Sequence, residues 1–181
     1  MKISLPKLKA VLLYFCENTE LKYLGKVKLM KLFYYLDFGH VKKFATPVTF
    51  DRYVKLDHGP IPSTIKNMVD DLENDPDASI LADVIDIKLA VGQTIHRISA
   101  KRRMTDADKK LFSVNELNVL EEVCARFGNK NTKFIEEASH KEAAWNSVAI
   151  LQETPYTLAV KDGDCLVEEE DIKLGLAMAG L

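Results

Sequence analysis

The chain has 181 residues, 47% hydrophobic and 29% charged, with a formal net charge of −2. That length suits one domain with a substantial core, and the composition is that of a folded globular protein, not of a disordered one. The charge is uneven: residues 1–66 carry 12 Lys and Arg against 5 Asp and Glu, a net +7, and the remainder carries −9. An electrostatic binding face is one reading of this, and solvated helix faces of opposite sign the other. The acidic remainder argues against simple coating of nucleic acid.

From the N-terminus, Lys7 and Lys9 interrupt the apolar run before it reaches signal-peptide length, and no later run approaches membrane-spanning length. A cytosolic chain is therefore expected. Pro6 to Glu17 is a first helix, with Leu8, Val11, Leu12 and Phe15 on one face. Within Val27 to Phe44, Val27, Met30, Phe33, Tyr34, Val41 and Phe44 recur at three- and four-residue spacing, so this helix is expected to be the central pillar of the core. Thr46-Pro47 should stop it. Val48 to Leu56 favours extended backbone, and Gly59-Pro60 forces a turn from which Pro62 opens a helix running to about Glu73. Val84–Val91 and Thr94–Ala100 flank Gly92-Gln93 as a hairpin. With Val48–Leu56 they make a small antiparallel sheet.

Asp106–Phe112 is a short helix, and Ser113 with Glu116 forms a capping box for a helix over 114–127, stopped by Gly128. A helix over Thr132–Ala138 should turn Phe134 and Ile135 inward. Ser139 and Glu142 form a second capping box, for a helix over 140–151 that packs Trp145 into the core, with His140 bonded to nearby backbone. The functional alternative is a groove formed by His140 and the Gly59-Pro60 turn. From Thr154 a strand-like segment (156–160), an acidic turn and an amphipathic helix (168–178) follow. The predicted organisation is thus one α+β domain, mainly helical with a small antiparallel sheet, over 1–153, with a C-terminal extension over 154–181 packed on it or appended to it.

No phosphate-binding loop, dinucleotide fingerprint, nucleophile elbow or His-Glu-x-x-His occurs, and no metal or cofactor is expected. Cys16, Cys124 and Cys165 are widely spaced and odd in number, which favours buried thiols over disulfides or a zinc knuckle. The one constellation available for catalysis draws on distant residues: His58 and His140 with Glu142 or Asp57, and Cys16 or Cys124 as nucleophile. Lys101-Arg102-Arg103 is a weak phosphate-contact patch. A non-enzymatic protein is expected.

KLMKLFYYLDF from Lys28, TFDRYVKLDHGPIPSTI from Thr49 and SHKEAAW from Ser139, in that order, resemble the Panacea domain of SocA-like antitoxins over roughly residues 5 to 150. The resemblance rests on Lys28, Leu29, Lys31, Leu32, Tyr34 and Tyr35 on the helix, on Tyr53, Gly59, Pro60 and Ile61 at the turn, and on His140 and Trp145. It implies a protein that neutralises a cognate toxin by binding it, and for one relative also delivery of the toxin to a cytosolic protease. Lys31, Arg52, Tyr53, Lys55, His58, Gly59, Pro60 and His140 are the residues singled out for partner contact. A DNA-binding regulator using the basic first third is the alternative, and a hydrolase built on His58 and His140 a further one.

Overall fold

The structure is a computed structural model that describes residues 4–89 and 96–180. Helix α1 (Leu5–Asn18) has Pro6 in its first turn, where a missing N–H breaks no helical bond. It buries Leu8, Val11, Leu12 and Phe15 together, the face its spacing implied. A 3-10 turn leads to α2 (Lys26–Phe44), which is covered on nearly every side. It packs against residues 59–62, 114–127 and 132–139 and the 3-10 turn at 156–161. Helix α2 ends at Ala45, in left-handed backbone (φ 62°) with its N–H on Val41 O, and Pro47 keeps the chain from resuming.

Two antiparallel pairs form among the described residues: β1 (Tyr53–Leu56) with β2 (Gly59–Pro62), and β3 (Ile85–Leu89) with β4 (His96–Ala100). They do not join into the single sheet expected. The first is a hairpin in which Tyr53 opposes Pro62 and Leu56 opposes Gly59. The 59–62 stretch is thus strand as well as turn, tolerating its prolines because β2 is an edge. The other side of β1 is taken by residues 151–154, through Lys55 N to Gln152 O, Leu151 N to Lys55 O and Thr154 N to Tyr53 O. In the second pair Ile87 opposes Ile98, which settles the register; the Gly92-Gln93 turn and Ile95 lie outside the described residues.

Helix α3 (Ser63–Asn74) buries Ile65, Val69 and Leu72 and begins under the Asp51 carboxylate, which accepts from Thr64 N and Ile65 N. Helix α4 (Asp106–Lys109) is capped by Thr105 and Asp108, and Asp108 also holds Arg102 at 2.6 and 3.0 Å. The basic cluster at 101–103 therefore helps close this corner, with Lys101 Nζ on Ala82 O. Helix α5 (Val114–Phe127) carries the expected Ser113–Glu116 capping box. Gly128 stays in right-handed helical backbone, and its missing side chain serves close approach: a Cβ there would meet Asn18 O at 2.4 Å.

Helix α6 (Thr132–Ser139) buries Ile135, while Phe134 remains 46% exposed. Helix α7 is a single turn, Ala143–Asn146. Ser139 does not cap it, because the hydroxyl turns back to donate to Glu136 O and Glu142 is drawn away by α2. The predicted strand at 156–160 is a 3-10 turn (Tyr156–Lys161), and α8 (Glu169–Met178) follows with Ile172 fully buried.

Candidate functional site

The hairpin and α2 share one polar seam. Asp57 and His58 form the exposed tip, and Gly59 follows at φ 109°. That φ favours glycine, and a Cβ there would also stand 2.0 Å from Lys31 Nζ and displace the amine. Lys31 has no exposed surface; its Nζ donates to Pro60 O at 3.3 Å, and burial pulls its pKa down to about 7. Tyr53 is 1% exposed and donates to Asp37. Of the residues singled out for partner contact, Lys31, Tyr53, Gly59 and Pro60 thus lie inside, the lysine because α2 is covered all round and the tyrosine because it alternates inward on β1.

Of the others, Lys55 and His140 meet at Trp145. Arg52 is exposed and pairs with Glu153 at 3.2 Å. Lys55 Nζ donates to Trp145 O (2.6 Å) and Val148 O (2.9 Å) and stands 4.1 Å from the centre of the Trp145 ring. The His140 ring stacks on the same indole at 4.0 Å, with its Nε2 buried and unpartnered among the described residues. Burial, with Lys31 nearby, lowers the His140 pKa. His58 Nδ1 lies 2.9 Å from Glu136. Trp145 is half-buried instead of filling the core, since the short α7 leaves it at the surface between His140 and Lys55.

A few residues on, Ile150 and Leu151 are 53% and 75% exposed, and Leu151 holds left-handed backbone at φ 68°. A branched side chain rarely takes that conformation. Sequence reasoning placed both residues at the end of a helix and missed them; the signal available was an Ile-Leu pair followed only by polar residues and a proline.

The hydrolase constellation does not assemble. Burial pushes both Cys16 and Cys124 up to about 12, far from a reactive thiolate. Glu142 accepts from Tyr34 OH at 2.7 Å and pairs with Lys42, so it orients neither histidine. Among the described residues no group of three or more His, Cys, Asp or Glu is placed to hold a metal ion. The basic first third is largely engaged: Lys7 with Glu116, Lys9 with Asp83, Lys26 with Asp70 and Glu73, Lys43 with Glu122. The opposed charge of the two sequence halves thus meets inside one fold. No helix among the described residues is long and apolar enough to cross a membrane.

These features define a mainly helical α+β domain with two small antiparallel strand pairs among the described residues. A family model for the SocA-like antitoxin, Panacea domain, matches residues 29–146, and the chain belongs to that family. No curated protein and no solved structure matches it.

Proposed function

We propose that the chain is an antitoxin that neutralises a cognate protein toxin by binding it, through a face made of Trp145, Ile150, Leu151, Arg52 and the hairpin tip at His58. The observation that carries this reading is Leu151: strained backbone holds a large apolar side chain in water, and its N–H is bonded to Lys55, whose side chain also holds the half-buried Trp145. Strain of that kind is retained where it serves a contact, and apolar side chains grouped at one surface favour a partner over solvent. Tryptophan and arginine are the usual anchors of such faces. Lys55 and His140 fix the indole, while Lys31, Tyr53, Gly59 and Pro60 hold the hairpin from beneath. The antitoxin family favours binding over catalysis, and delivery of the toxin to a protease would be a further use of the same complex.

The test is co-expression with a toxin encoded in the adjacent open reading frame, scoring growth rescue and co-purification. Leu151→Gly relieves the backbone and should raise stability by about 1 kcal/mol, yet together with Ile150→Ser it should abolish the complex. Unchanged binding by that double variant would remove this face from the proposal. A folded His58→Gln or His140→Gln protein that still binds the toxin but no longer rescues growth would mean chemistry on the toxin, and binding alone would be the wrong account.

A further inference from the structure

Where the 3-10 turn Leu21–Tyr23 meets the loop between α5 and α6 there is a shallow hollow of about 400 Å³. Two aromatic rings border it: Tyr23, half-buried, and Phe134, which stands 46% exposed where the sequence had it turned inward. Each ring has an ammonium over it, Lys22 Nζ at 4.8 Å from the centre of Tyr23 and Lys130 Nζ at 5.9 Å from that of Phe134. Lys28 lies below, 5.3 Å from the Tyr23 ring, and Lys133 is on the rim. Lys22 pairs with Glu20 at 2.8 Å and Lys133 with Glu137 at 3.7 Å, while Lys28 and Lys130 have no ion pair among the described residues. The corner thus carries surplus positive charge beside exposed aromatic surface. Its loop is fixed in place: Gly128 O accepts from Glu20 N and from Lys28 Nζ, Lys28 also holds Lys130 O, and Asn131 caps α6 by accepting from Phe134 N at 2.9 Å.

We propose that this hollow binds a nucleobase that carries a phosphate, supplied by a free nucleotide or by a single strand of nucleic acid. An exposed ring gives a base the platform on which to stack, and lysines beside it receive the phosphate. Asn129 and Asn131 line the same hollow, and their amide groups suit the donors and acceptors along a base edge. An acidic peptide would satisfy the lysines and leave the aromatic surface in water, whereas a nucleotide uses both. Two uncompensated charges serve one or two nucleotides, which is a different thing from the coating that the overall charge disfavours. The inference does not rest on the antitoxin reading and adds a ligand of another class.

The experiment titrates the full isotope-labelled chain with AMP and, as the two halves of that ligand, with ribose 5-phosphate and adenosine, following the amide signals of Asn129, Lys130 and Lys133. AMP should shift them, and each half should bind about tenfold more weakly, having lost the stacked base or the charge. Decaadenylate separates the two sources: an affinity more than about tenfold above that of AMP assigns the site to a strand, and a smaller gain to a free nucleotide. Phe134→Leu keeps an apolar side chain against Phe127 and removes the ring, and Lys130→Ala removes an exposed amine. Each should weaken AMP about fivefold or more with an unchanged melting curve. Wild-type affinity in both variants, equal binding of AMP and ribose 5-phosphate, no shifts with AMP, or tetraglutamate binding as tightly as AMP would overturn the proposal.

Discussion

Three lysines of α2 are withdrawn from water, and their ammonium groups meet different surroundings. Lys28 donates to Gly128 O and Lys130 O, satisfying carbonyls just beyond the end of α5. Lys42 sits among carboxylates that keep its pKa raised against the opposing effect of burial. Lys31 has one long bond to a carbonyl, and burial lowers it to about 7. The unfolded chain holds that proton up to the ordinary lysine value, so between about pH 7 and 10 it binds more protons than the folded one, and stability rises with pH. Denaturant titrations at pH 7 and pH 9 should show this gain, up to a few kcal/mol. Lys31→Met should remove most of it, leaving the smaller part due to Lys28, which burial lowers to about 8. A slope unchanged in Lys31→Met would mean that the amine is already charged and satisfied in the fold.

Between elements, the strongest tie is made by Asp37. Fully buried in α2, it accepts from the backbone N–H groups of Val48 and Thr49 and from the hydroxyls of Thr49 and Tyr53, fixing the irregular stretch that leads to β1. Burial raises its pKa to about 6 although those hydrogen bonds oppose the shift. Asp37→Ala would strand several donors at once and should cost about 3–5 kcal/mol, measured by denaturant unfolding. Retained stability would show that water replaces the carboxylate. This knot also marks where the sequence stops being legible. Helices α1, α2, α3, α5 and α8 follow from local spacing and capping residues, and those signals are complete within a dozen residues. The Ser113–Glu116 box forms because a long amphipathic helix follows it. The same letters at Ser139 and Glu142 do not, because Tyr34 and Lys42, about a hundred positions earlier, claim the glutamate. For the same reason the place of Trp145 was misread: a helix predicted to run to residue 151 ends after one turn. Lys31 was singled out on the family resemblance and Tyr53 by residue type, and only the folded hairpin reveals both as interior.

At the scale of the whole molecule, residues 154–180 are interlocked with the rest. Tyr156 packs its ring on Phe38 and Tyr53 and donates to Asp51 O, Asp162 accepts from Ala143 N, and Ile172 is fully buried. A chain ending at Glu153 should therefore lose cooperative unfolding, followed by circular dichroism on heating; a sharp transition near that of the full chain would make the segment an accessory. Some polar ties of α2 also reach far along the chain, 29 residues for Lys31 with Pro60 and 119 for Asp37 with Tyr156. At ribosomal speeds of about 5–20 residues per second, the interval between making Asp37 and making Tyr156 is on the order of 6–24 s. Until then the covering of the pillar helix is incomplete, since Asp37 lacks Tyr156 and Lys42 lacks Asp162 and Asp164. Contacts so remote in sequence form late and slowly. On the proposed antitoxin role, a toxin translated alongside this chain would have a head start over it, and the order and relative output of the two genes would decide whether the cell is exposed.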